Sequence, residues 1–301
     1  MATPSTSMST SMSANPIPAP RTADAPLQKP GMSRTQKLLF FVTAWLICLM
    51  PFLFWWNTWF GRKLSDQQLA EYLHDSKKPR HIQQALVQVG ERITRQDATA
   101  KQWYPDLVRL ASDPVEEVRN TDAWVMGQDT SVTGFHETLL KMLADPSQMV
   151  RGNAALSLVR FGDATGRPQI LGLLQPAHIA APESGRILDA DRPGTAIRQS
   201  GLIAKLEFGN KQIAEIRSPI PGRIHSVAGT GANISAGMEV AIVDPATDQV
   251  WEALRALYLI GQPEDLPAIR PYERDLADIS NDVRQQAVET EQAIEKRSGS
   301  Q

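Results

Sequence analysis

Apolar and polar positions follow three different rhythms along this chain, and each rhythm predicts a different kind of element. From Leu38 to Trp56 nineteen residues run without a charge, LLFFVTAWLICLMPFLFWW. At about 1.5 Å per residue such a run reaches roughly 28 Å, close to the ~30 Å hydrocarbon thickness of a bilayer. Trp55, Trp56 and Trp59 gather at its end, and Lys37 and Arg62-Lys63 bracket it, as amphipathic rings and charges do at a headgroup boundary. Pro51 lies inside the run, where a bilayer helix tolerates it. The pattern predicts a transmembrane helix over 37–60. No small-residue cleavage site follows in WWNTWFGRKL, so the segment reads as a retained anchor and not as a signal peptide. Residues 1–36 are a Pro/Ser/Thr-rich tail without apolar period. With so little surface to bury, that tail is expected to be disordered, as is the short end 297–301.

Beyond residue 63 the period becomes that of helices joined by short turns. Asp113-Pro114 is followed by Val118-Arg119 and Ala123, and Asp145-Pro146 by Val150-Arg151 and Ala154-Ala155, at an offset of 32. Asp278 precedes Val283-Arg284 by the same five and six residues. A weaker unit runs through Leu69, Leu73, Asp75, Ile82, Leu86 and Val89. The residue types fit the mechanics of a turn between two helices. The aspartate accepts backbone N–H bonds, the proline cannot continue a helix, and the valine opens the inward stripe of the next helix. The arginine beside it can reach the turn aspartate of a neighbouring unit. Asp113, Val118, Arg119, Asp145, Val150, Arg151, Asp278, Val283 and Arg284 are therefore structural repeat positions and not a phosphate site. The pattern resembles the short HEAT-like repeats. That resemblance implies an α-solenoid over 64–177 and 247–296, a form whose extended faces suit protein binding.

The third rhythm is a strand-like alternation, and it interrupts the array. Val150 and Val250 are 100 residues apart, whereas Val250 and Val283 are 33 apart. Removing one period leaves a segment near 178–246 between the two helices of one unit. The segment is internally duplicated: APESGRI at Ala181–Ile187 matches SPIPGRI at Ser218–Ile224, and LIAKLEF, QIAEIRS and MEVAIVD read as strands bounded by glycine turns. Two such halves resemble the barrel-sandwich hybrid of biotinyl and lipoyl carrier domains, a fold shared with bacterial membrane fusion proteins. In carrier domains the modified lysine sits on the hairpin joining the halves, eleven residues before the second motif glycine, and Lys211 precedes Gly222 by eleven. The resemblance thus makes Lys211 a possible attachment point for lipoate or biotin. Its neighbours, Gly209-Asn210-Lys211-Gln212, match neither the Asp-Lys-Ala of lipoyl hairpins nor the Met-Lys-Met of biotinyl ones, so a solvated turn lysine is the expected state. The fold class expected overall is mainly α: a HEAT-like α-solenoid with an inserted small all-β barrel-sandwich hybrid domain, preceded by a disordered tail and one transmembrane helix.

Composition narrows the chemistry further. A formal net charge of −2 over 301 residues gives no electrostatic reason to expect nucleic acid as a partner. The single cysteine, Cys48, excludes an internal disulfide and a cysteine zinc site. Five scattered histidines, His74, His81, His136, His178 and His225, show no metal-ligand spacing. Gly229-x-Gly231 lies in a predicted turn without a following helix, so it is no nucleotide motif. Lys77, Lys78 and Arg80 make a basic turn, read as solvated or as a contact for anionic lipid. Short HEAT-like repeats occur also in bilin lyases, but nothing marks a bilin pocket. The expectation is a non-enzymatic scaffold or accessory subunit without metal or cofactor. Its expected partners are protein subunits of a membrane complex and the bilayer itself through residues 38–56. The bulk of the chain is expected on the outer side of the inner membrane. A transport adaptor and a carrier modified at Lys211 are the alternatives.

Overall fold

The computed structural model describes residues 34–59, 63–275 and 279–299. The expected disorder of the tail up to residue 33 and of residues 300–301, and the repeat position Asp278, lie outside the described residues. The chain divides into two units, Met1–Arg62 and Lys63–Gln301.

In the first unit a helix, α1, runs over Arg34–Trp59. Its described side chains include Leu38, Leu39, Phe40, Phe41, Trp45, Ile47 and Met50, all exposed. Among the described residues, however, no helix is long and apolar enough to cross a membrane. The part of α1 with described side chains, Arg34–Met50, opens with Arg34 and Lys37. The transmembrane helix expected over 37–60 is therefore not supported.

The second unit contains ten helices and eight strands among the described residues. The helices are α2 (Asp66–Leu73), α3 (Pro79–Thr94), α4 (Tyr104–Leu110), α5 (Glu116–Met126), α6 (Thr133–Met142), α7 (Gln148–Arg160) and α8 (Arg167–Gly172), then α9 (Thr247–Ile260), α10 (Leu266–Ile269) and α11 (Asn281–Ser298). Between α8 and α9 come β1 (Ala177–Ala180), β2 (Gly185–Ala190), β3 (Ala196–Ile197), β4 (Leu202–Phe208), β5 (Gln212–Arg217), β6 (Gly222–Val227), β7 (Asn233–Ile234) and β8 (Glu239–Pro245). The expected class, a mainly α HEAT-like solenoid with an inserted all-β barrel-sandwich hybrid domain behind a disordered tail and one transmembrane helix, is corrected: no described helix is long and apolar enough to cross a membrane, and the fold is one of helices with two four-stranded antiparallel sheets. The helical part is also not a uniform stack of helix pairs. The helices α4, α8 and α10 are short; a 3-10 turn at Ala98–Trp103 runs into α4, and turns at Pro263–Asp265 and Arg270–Glu273 flank α10. Prolines near the starts of these pieces, Pro105, Pro168, Pro263, Pro267 and Pro271, suit a helix's first turn and limit what can precede it.

Helices α3, α5 and α7 pack side by side, α7 touches α9, and α9 packs on α11. One core extends from Leu64 through Leu86, Val118 and Phe135 to Leu158. A second joins Ala155 and Ile170 to Leu254, Leu257, Val283 and Ile294. Val118, Val150 and Val283 are buried at the starts of α5, α7 and α11, and burying a valine contributes roughly 1.5–3 kcal/mol. The turns ahead of α5 and α7 share one construction. Asp113 Oδ1 accepts the Val115 N–H and Asp145 Oδ1 the Ser147 N–H, both at 2.8 Å. Arg119 and Arg151 each donate to the carbonyls of their own turn, Asp113 at 2.9 Å and Asp145 at 2.7 Å. Arg119 also donates to the carboxylate of Asp145, at 2.7 and 2.9 Å, and so ties one turn to the next.

In the β segment the strand orders are β1-β8-β6-β3 and β5-β4-β2-β7, and buried Ile187, Leu206, Ile224 and Val243 from both sheets share a third core. The halves match in detail: Gly194 N–H donates to Ile224 O and Gly231 N–H to Ile187 O, each at 2.7 Å. A Cβ on Gly185 or Gly222 would overlap the backbone oxygen of Glu207 or Asp244, so only glycine lets these strands approach. The segment rests on the helices through Met149, which packs against its core, and through Glu116, whose carboxylate accepts from both Ser147 and Gln199.

Candidate functional site: a groove across the helical layer

Helices α5 and α9 each bury one face and leave another exposed. On α5, Val118, Ala123, Val125 and Met126 are buried while Trp124 stays 43% exposed. On α9, Val250, Ala253, Leu254 and Leu257 are buried while Tyr258 and Leu259 are 42% and 62% exposed. The free faces of α5, α7, α9 and α11 bound an open groove of about 620 Å³. Its apolar lining comes from Trp124, Leu156, Val159, Tyr258 and Leu259, its charged lining from Arg160, Glu252, Arg255 and Glu289.

Hydrogen bonds between neighbouring helices fix the walls. Asn153 Nδ2 donates to Asn120 Oδ1 at 2.7 Å and Ser157 Oγ to Ala123 O at 2.8 Å, which joins α7 to α5. Thr290 Oγ1 donates to Leu254 O at 3.0 Å, which joins α11 to α9. The Trp124 indole leans on Gly90 of α3, where a Cβ would stand 3.1 Å from its ring. The charges divide into two kinds. Arg255 stacks on Trp251 at 4.6 Å and pairs with Glu252 at 3.6 Å. Arg160 bonds only neutral oxygens, Gln128 Oε1 at 2.8 Å and Gly127 O at 3.3 Å. Glu289 accepts from the Gln285 amide at 2.9 Å. Neither Arg160 nor Glu289 forms an ion pair among the described residues. Such a surface combines exposed aromatic and aliphatic groups with unneutralised charge of both signs.

The residues singled out from the sequence lie elsewhere. Asp113, Arg119, Asp145 and Arg151 meet at the turns ahead of α5 and α7, away from the groove lining. Arg284 lies at the start of α11 and pairs with Asp275. Lys211 is exposed in the β4–β5 turn with φ of 60°, two residues after Gly209 with φ of 51°. Every histidine faces a carboxylate, His74–Asp106 at 3.2 Å, His81–Asp75 at 2.9 Å, His136–Asp163 at 2.8 Å, His178–Glu239 at 2.6 Å and His225–Asp244 at 3.0 Å. These pairs are dispersed over the fold and do not converge on one place. Among the described residues no group of three His, Cys, Asp or Glu is placed to hold a metal ion.

Sequence reasoning missed the groove and also a second set of repeat contacts. Asp97, Asp129 and Asp163 each accept, at Oδ1, the N–H of Thr99, Ser131 or Thr165 two residues on, at 2.9, 3.0 and 2.8 Å. The spacing Asp-x-Thr/Ser was the available signal. Tyr104 and His136, one period apart, reach Asp129 and Asp163 at 2.6 and 2.8 Å. Bonds from Thr99 lower the Asp97 carboxyl and bonds from Thr165 lower that of Asp163. At Asp129 burial acts upward, but bonds from Ser131 and Tyr104 prevail and lower it.

Comparison with known proteins places none of this in a family. No family model matches the chain, and no curated protein matches it. A solved structure described as a single-chain, multi-domain long-chain acyl-CoA carboxylase is 13% identical, with a TM-score of 0.23 over 32% of this chain and 10% of that one. The match therefore spans a tenth of that carboxylase, and a TM-score so low assigns neither fold nor function.

Proposed function

We propose that this protein is a non-enzymatic scaffold or accessory subunit that docks partner proteins in the groove over α5, α7, α9 and α11. The observation that carries the reading is the exposure of Trp124, Tyr258 and Leu259 on walls held rigid by inter-helix hydrogen bonds. Exposed aromatic and aliphatic groups on a rigid face cost little ordering entropy on binding, and they cluster where partners dock. A photocrosslinking residue at position 259, placed in the full chain in its own cells, should capture one or a few proteins in stoichiometric yield. The same residue at the exposed position Glu71 on α2 should not. Equal labelling at both positions, or none at 259, would reject the groove as a docking site.

A second reading has one observation in its favour. Lys211 stands exposed at a tight turn between two strands, accessible to a modifying enzyme, as a carrier lysine must be. Intact mass of the purified chain decides it. A mass increment mapped to Lys211 makes the protein a carrier, and an unmodified lysine leaves the scaffold reading alone.

A further inference from the structure

The groove constrains the form of its occupant, on the reading of the groove as a protein-docking site. We propose that it receives an amphipathic α-helix of the partner, one that carries a carboxylate opposite Arg160 and a cation opposite Glu289. The backbone argument comes first. The groove is walled by helices, whose main-chain groups are satisfied within each helix, and among the described residues no strand lines it. An extended peptide lying there would lose water from its own N–H and C=O groups and find few partners. A helix satisfies those groups internally and can present an apolar stripe, the helix-in-groove mode. Trp124, Leu156, Tyr258 and Leu259 supply the apolar surface for that stripe.

Charge then sets the partner's pattern. Arg160 ends α7 and Glu289 lies on α11, with α9 between them. Adjacent packed helices are about 8–10 Å apart, so two spacings amount to roughly 16–20 Å. At about 1.5 Å per residue, a helix laid across the layer covers that distance in roughly 11–14 residues, or three to four turns. The matching partner helix therefore carries its acid and its base about three to four turns apart on the apolar edge. Either chain direction serves, because only the pairing of opposite charges is fixed.

The test uses synthetic 18-residue helical peptides with one leucine stripe and two charge positions 14 residues apart, carrying Glu and Lys, two Lys, or two Glu. Fluorescence anisotropy against the full-length protein should rank the Glu/Lys peptide tightest, by about threefold over each like-charged peptide, the scale of one exposed ion pair. Arg160→Glu should make the Lys/Lys peptide the tightest, and Glu289→Lys should make the Glu/Glu peptide the tightest. Leu259→Asp should weaken all three at least tenfold. Leu259 is 62% exposed, so an unchanged melting curve should accompany that loss. Equal affinity for all three peptides overturns the charge assignment while leaving the groove a helix site. Binding of none overturns the helix assignment, whereas crosslinking at 259 reports separately on whether any protein docks there.

Discussion

The side chain of Asp122 is the sharpest conflict between sequence and environment in the helical unit. It lies on α5, fully buried, and among the described residues neither carboxylate oxygen has a hydrogen-bond partner. Burial pushes its pKa well above the usual range; Arg109 acts against that shift and the charge of Asp113 adds to it. Burial thus favours its neutral form, and even neutral it is an unsatisfied polar group, which costs about 1–3 kcal/mol. Asp122→Ala removes that cost and leaves a void of roughly 20 Å³, a penalty of about 0.5 kcal/mol at ~24 cal/mol per Å³. The expected net is a stabilisation of about 1 kcal/mol at acid pH, or roughly 2–4 °C in Tm for a unit of this size. A raised folded pKa also means that the folded state binds more protons than the unfolded one above about pH 3.9. The wild-type contribution is fully present below that value, and it falls as pH rises through the raised folded value. Asp122→Asn retains the shape without the titration, so it should match wild type at pH 4 and exceed it increasingly toward neutral pH. Urea unfolding of the three proteins from pH 4 to 8 checks both expectations. A loss of more than about 1 kcal/mol in Asp122→Ala would refute the reasoning, since it would mean that the carboxyl makes stabilising contacts.

Three further outcomes are expected. Asp145→Ala leaves Arg119 without its carboxylate in a site where the two side chains are only 12% and 8% exposed, and urea unfolding should show a loss of about 3 kcal/mol. Burial acts upward on the Asp145 carboxyl, but bonds from Arg119 and Ser147 prevail and lower it. Its stabilisation is therefore present above the unfolded value of about 3.9 and lost as pH falls through the lowered folded value, a limb absent from the variant. Glu273 is pushed up to about 7 by burial and by neighbouring Glu291, against the pull of Arg270. Its contribution should decline as pH rises from about 4.3 through that value, and Glu273→Gln should flatten the fall in Tm between pH 5 and pH 8. Gly222→Ala would force a Cβ into the Asp244 carbonyl, at a cost of about 1–3 kcal/mol, and limited proteolysis should then open the β segment before the helices.

How much was legible follows from the range of each interaction. An Asx turn is local, so Asp113 and Asp145 were readable from Asp-Pro and from the period of 32 residues. The same local chemistry at Asp97, Asp129 and Asp163 was equally readable but lacks the proline that draws attention to it. The duplicated glycines at 185 and 222 were visible because each half must pass a backbone oxygen at the same point. The apolar run at 38–56 announced a helix, and α1 contains it, but the membrane span read from it is not supported among the described residues.

The sequence by itself determined periods, turns and caps, because these depend on residues a few positions apart. Ser65, Ser147 and Ser280 each cap the helix they precede by accepting an N–H three residues on, an arrangement closed within one turn of chain. Only the tertiary structure decided which faces remain free and which charges remain unpaired. Trp124 and Leu259 are 135 residues apart in the chain, separated by the whole β segment, and they line one groove because α7 packs on both α5 and α9. Asp122 is buried where α5 packs, and Arg160 meets no carboxylate among the described residues. Burial and pairing are properties of the packed ensemble of helices, so no window along the chain contains them.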